Sequence, residues 1–119
     1  MSSAPRLLTR HAFVDLETTG LDPRTDEVIE LGIVFVEDDA VVHRVSRLFR
    51  PSRPLPVIIQ RLTGLTDEQL LAQPEFTQFH AELTGLLRGW TVVAHNAAFE
   101  EGFLKAVLDA LQAPVLASG

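Results

Sequence analysis

The chain has 119 residues, 46% of them hydrophobic, and a net charge of −6. That size suits one domain, 1–119, with a buried core, and the acidic balance argues against a passive nucleic-acid binder that relies on a basic surface. Disulfides and thiolate chemistry are excluded because there is no cysteine. The N-terminus "MSSAPRLLTR" lacks the apolar core of a signal peptide and no run approaches membrane-spanning length, so no membrane partner and a cytoplasmic location are expected.

Residues 10–17 predict a first strand, and "TTGLDPRTD" (18–26) a loop in which Gly20 is expected to allow a sharp backbone turn. "EVIELGIVFVEDD" (27–39) predicts a second strand and "AVVHRVSRLFRP" (40–51) a third, joined by turns short enough to make an antiparallel meander. Within 54–70 a short helix is expected before Gly64, then a helical turn capped by Thr66. Residues 74–89 read as a helix through the spacing of Phe76, Phe79, Leu83, Leu86 and Leu87, with Pro74 in its first turn and Gly89 at its end. "WTVVAHN" (90–96) reads as a doubly buried strand and residues 97–113 as a second helix. The order β-β-β-α-β-α predicts an α/β fold. A helical crossover lays the fourth strand parallel to the first in a mixed sheet covered by helices.

Two acids stand out. Asp15 and Glu17 share one face of the first strand, roughly 7 Å apart at Cα. Like charges on an apolar strand repel and resist desolvation, and a bound cation offsets both costs. Glu100 falls on the first turn of the last helix, at the same end of the sheet. Three carboxylates there form an all-oxygen donor set suited to Mg²⁺ or Mn²⁺ and not to zinc. Taken singly, the strand pair also reads as a solvated strand end, and Glu100 as a favourable charge at a helix N-terminus.

"FVDLETTGLDP", "RLTGLTDEQL" and "VVAHNAAFEEGFL", in that order and spacing, resemble the DnaQ-like (DEDDh) 3′–5′ exonucleases, which include proofreading epsilon subunits of bacterial DNA polymerase III. The resemblance covers about residues 10–112 and implies a ribonuclease H-like fold. It also implies that Asp15, Glu17 and Glu100 hold two divalent ions for an in-line phosphodiester displacement. Asp15 would bridge both ions, Glu17 would hold the one that binds water, and Glu100 would support the other. Thr18 and Thr19 match positions that meet the terminal nucleotide, and Leu62, Thr63 and Leu65 a loop packed against the last bases. Asn96 and Phe99 match substrate-side positions, Phe99 being equally readable as a core aromatic. The implied substrate is the 3′ end of single-stranded DNA, with RNA ends as the alternative, and the implied partner a DNA polymerase subunit.

Two departures from the family pattern follow. The second-motif acid is usually Asp, whereas here it is Glu100. The third motif, a His with an Asp five residues on, is absent: His11, His43 and His80 are followed at that spacing by Leu16, Leu48 and Gly85, and His95 by Glu100 itself. The expectation is therefore a C-terminally incomplete domain, lacking its last strand and helix and weak or inactive alone. An exposed edge on the fourth strand would then invite self-association. The alternative function is a catalytically incomplete module that binds nucleic acid or a polymerase. Arg44, Arg47, Arg50, Arg53 and Arg61 form the one notable basic cluster, read as an edge strand guarded by charge in preference to a phosphate site.

Overall fold

A computed structural model describes residues 9–118. Residues 1–8, part of the stretch read above for a signal peptide, lie outside them. The elements run β1 (Arg10–Thr18), β2 (Val28–Glu37), β3 (Ala40–Leu48), α1 (Val57–Thr63), α2 (Asp67–Leu71), a 3-10 turn (Phe76–Phe79), α3 (His80–Leu87), β4 (Thr91–Ala94), α4 (Ala97–Phe103), α5 (Lys105–Leu111) and β5 (Val115–Ala117). The sheet order is β3-β2-β1-β4-β5. The first three strands form the expected antiparallel meander, and β4 lies parallel to β1. No helix among the described residues is long and apolar enough to cross a membrane.

Alternation along β1 decides which face is dry. Ala12, Val14 and Leu16 are buried, together with Leu31, Ile33 and Phe35 of β2 and Val92 and Ala94 of β4. The helices α3 and α5 close this core with Leu83, Leu87, Val107 and Leu108, and α3 packs against α5. Phe49, fully buried, sets the far corner: its ring meets Phe76 edge-on at 5.1 Å and Phe79 at 5.5 Å. We expect Phe49→Ala to destabilise the chain by about 3–5 kcal/mol, since the cavity cannot collapse between the Phe76 and Phe79 rings. Denaturant unfolding of the variant checks this. A second cluster of Ile29, Leu55, Leu65 and Leu70 holds α2 against the sheet.

The local signals explain the helix ends. Gly64, at φ 76°, ends α1 in the left-handed region that glycine tolerates. Thr66 caps α2 with a reciprocal Thr66–Gln69 pair. Residues 74–89 begin helically only at Phe76, as a 3-10 turn capped by Glu75 with Gln78. The helix expected over 97–113 is two helices, because the backbone bends at the fully buried Leu104. The bend lets α4 contact β1 and β4 while α5 packs on α3.

One expectation is corrected. The edge of β4 is paired by the short parallel strand β5, where an open edge was predicted. Val115 is buried and its N–H donates to Glu101 Oε1 at 3.3 Å. The Ser118 N–H then donates to Ala94 O at 2.9 Å. On this side the edge of the sheet is the three-residue β5 and not β4. On the opposite side, β3 is an edge strand guarded as expected: Arg47 pairs with Glu82 at 4.0 Å, and beyond the strand Arg50 pairs with Glu75 at 3.7 Å.

Candidate active site

The register aligns the acids. Asp15 sits opposite Gly32 of β2, and Glu17 opposite Glu30, so the row along this face reads Phe13, Asp15, Glu17 on β1 and Val34, Gly32, Glu30 on β2. Nothing lies within 4 Å of where a Gly32 side chain would start, which leaves open space beside the Asp15 carboxylate. A bulge between Glu17 and Thr18 then shifts the register and turns the chain into the 19–26 loop. Asp15 is exposed and Glu17 half-buried.

Glu100 reaches this end of the sheet from α4. Its helix follows β4 after His95 and Asn96, and Asn96 is the residue before the first helical turn, although its side chain caps nothing. Glu100 is 4% exposed and its Oε2 has no hydrogen-bond partner. A buried, unpartnered carboxylate oxygen is costly, and it is the clearest sign that this end of the fold is built for something else to bind. Burial pushes the Glu100 carboxyl above its usual range. The Asp15 charge pushes the same way, while its own backbone amide and the nearby His95 oppose. Glu17 is raised too, by partial burial first and then by Asp15 and Glu30. These carboxylates share one end of the sheet, where only His95 opposes the rise of Glu100 by its charge. Among the described residues, no three His, Asp or Glu side chains stand close enough together to share an ion as they are placed. The donor chemistry nonetheless fits a hard divalent cation: oxygens only, one of them buried and unsatisfied.

The loop after β1 is more tightly bound than the sequence implies. Thr18 Oγ1 donates to Gly20 O. The Thr19 N–H donates to Glu27 O at 2.9 Å, and its hydroxyl donates to Asp26 Oδ1 at 3.2 Å while accepting from the Glu27 N–H at 2.9 Å. The Thr18 and Thr19 hydroxyls and the Thr19 amide are thus engaged within the loop and shape it. Glu27 is held in turn by Ser52, whose Oγ donates to Glu27 Oε1 at 2.6 Å. A side chain at Gly102 would start 2.9 Å from Pro23 Cγ, so α4 lies hard against this loop.

The remaining candidates divide. Leu62 is 75% exposed on α1 and free to touch a ligand, whereas Leu65 is buried in the second cluster. Thr63 Oγ1 donates to Ile59 O at 2.7 Å and accepts from the Leu65 N–H at 3.2 Å, fixing the turn between them. Asn96 is exposed. Phe99 lies at 5.0 Å from the Phe103 ring and packs against the main core, which is the core-aromatic alternative of its two readings. Sequence reasoning missed Asp26 and Glu30. The alternation of β2 against β1 could have found Glu30; nothing short of the folded loop identifies Asp26.

The sequence model of the RNase_T exonuclease family matches residues 12–115. The PolC-type DNA polymerase III of Thermotoga petrophila is 39% identical over 92 residues, which are 77% of this chain and 7% of that protein. The DNA polymerase III subunit epsilon of Treponema pallidum is 35% identical over 95 residues, 80% of this chain and 44% of that protein. This chain therefore spans less than half the length of either relative. Among solved structures, a product-bound exonuclease I superposes with a TM-score of 0.74 over 89% of this chain and 26% of that one, at 16% identity, a likeness of fold. With its mixed five-stranded sheet and the matched motifs, the chain belongs to the RNase_T exonuclease family, among the DnaQ-like 3′–5′ exonucleases.

Proposed function

We propose that this chain is a single metal-dependent exonuclease domain that acts on the 3′ end of single-stranded DNA in the cytoplasm, beside a DNA polymerase subunit, and that it cuts only weakly on its own. The observation that carries the reading is the buried, unpartnered Glu100 Oε2 at the end of the sheet that bears Asp15 and Glu17. Asp15, Glu17 and Glu100 would hold divalent ions, Mg²⁺ or Mn²⁺. Such ions, when bound, activate water and stabilise the attacking and leaving oxygens of a phosphodiester displacement.

The chain's own residues do the rest. Asp15 and Glu17 present carboxylate oxygens at the strand end, and the hydrogen-bonded 18–20 loop follows directly on Glu17. Leu62 on α1 offers an exposed apolar surface for a base. The test is digestion of a 5′-labelled single-stranded oligonucleotide with Mn²⁺ against an EDTA control. We expect a weak ladder shortened from the 3′ end that EDTA abolishes. An undigested oligonucleotide with the folded chain favours a second reading, a module that binds nucleic acid or a polymerase without cutting. That reading draws on the lack of three clustered ligands among the described residues.

A further inference from the structure

The loop that walls the site closes on one carboxylate. Asp26 Oδ1 accepts from Thr19 Oγ1 at 3.2 Å, and Asp26 Oδ2 accepts from the Asp22 N–H at 3.0 Å. The chain between them is drawn into a tight turn, with the Asp26 N–H donating to Asp22 O at 2.7 Å and the Thr25 N–H to the same oxygen at 3.1 Å. Gly20 lies directly over the carboxylate. A Cβ there would stand 2.6 Å from Asp26 Cγ and 2.8 Å from Oδ1, and closer still to Oδ2. Gly20 does not sit in the left-handed region, where Gly64 and Gly89 do, so the position excludes a side chain for want of space and not for its torsion. Pro23, in the same loop, lies against Gly102 of the helix that carries Glu100. One carboxylate thereby sets the height of the Thr18–Gly20 backbone beside Glu17 and the seat of α4 on the loop.

We propose that Asp26 is a positioning residue. Its carboxylate fixes the Thr18–Gly20 wall against which the terminal nucleotide's 3′-hydroxyl end is selected, without itself touching an ion or the reacting atoms. The inference rests on the functional reading above and adds to it the residue that sets end recognition. Asp26 also has a chemistry that separates its variants. Asn can keep an acceptor on the Asp22 amide and turn its NH₂ toward Thr19 Oγ1, whereas Ala loses both contacts and empties the space under Gly20.

The test measures binding, in Mn²⁺, of an oligothymidylate with a terminal phosphorothioate linkage and a free 3′-hydroxyl, beside its 3′-phosphorylated form. For the unaltered chain we expect tighter binding of the 3′-hydroxyl form. Asp26→Ala should weaken that form about tenfold while leaving the 3′-phosphorylated form and Mn²⁺ affinity within about twofold, and Asp26→Asn should recover most of the loss. Gly20→Ala should mimic Asp26→Ala, because its Cβ displaces the carboxylate. In the Asp26→Ala background the same change should cost little more, a non-additive pair of about tenfold coupling.

A folded Asp26→Ala with the unaltered chain's end preference, or strictly additive effects, overturns the inference alone. If Asp26→Ala does not fold, Gly20→Ala decides: a folded variant with full end preference overturns it, and loss of preference supports it. An unaltered chain that binds both ends alike in Mn²⁺ removes the functional reading and the inference with it.

Discussion

Asp15→Ala should abolish 3′-end shortening in Mn²⁺ and leave the chain folded. Asp15 is exposed at the strand end, with open space on the Gly32 side, so its removal creates no core cavity. What it removes is a charge that adds to burial in raising both Glu17 and Glu100, and the most accessible donor for a divalent ion. The expected loss is on the order of 10³ in rate, because a displacement at phosphorus depends on charge stabilisation by the ions these acids hold. Without metal, relief of repulsion makes the variant equal to or slightly more stable than the unaltered chain. Oligonucleotide digestion and thermal unfolding check the two halves, and a variant that cuts at the normal rate contradicts the assignment.

Glu100→Leu moves stability and activity in opposite directions. Leu fills the same pocket without an unpartnered oxygen, so the metal-free chain gains about 1–3 kcal/mol. Activity falls with the loss of the ligand. The pH dependence follows from the same shift. Glu100 and Glu17 both titrate above their ordinary value of 4.5 in the folded chain. The folded state therefore holds more protons than the unfolded one between that value and the raised one. Stability falls as pH rises through that window and stays at the lower level beyond it. In metal-free buffer the melting temperature should drop as pH climbs from about 4.5 toward neutrality, and Glu100→Leu should flatten that drop. An unchanged slope in the variant assigns the drop elsewhere.

The sheet and the acids were legible because they rest on short-range regularities. Alternation along 10–17 put Asp15 and Glu17 on one face, and the apolar run Val92, Val93, Ala94 marked the buried parallel strand. The parts that escaped depend on what the chain meets after folding. Gly20 was read as a torsional hinge, yet its reason is the Asp26 carboxylate beneath it, six residues away in sequence. The bend at Leu104 has only Gly102 before it as a weak breaker, and helical spacing continues through Lys105–Leu111. Only the packing of α4 on the sheet and α5 on α3 separates the two helices. β5 has three residues, too few for alternation to register, and is held by Glu101 and Ala94. Phe99 carried two readings that one sequence cannot separate, and its contact with Phe103 supports the packed one.

The measurement that bears most directly on the account is thermal unfolding at neutral pH, with and without Mn²⁺, of the unaltered chain and of Asp15→Ala. An ion that binds only the folded carboxylates should raise the melting temperature by about 10 °C when present at a hundredfold excess over its Kd, and Asp15→Ala should lose most of that rise. No shift in the unaltered chain, or an equal shift in both, would contradict a divalent-ion site at Asp15, Glu17 and Glu100.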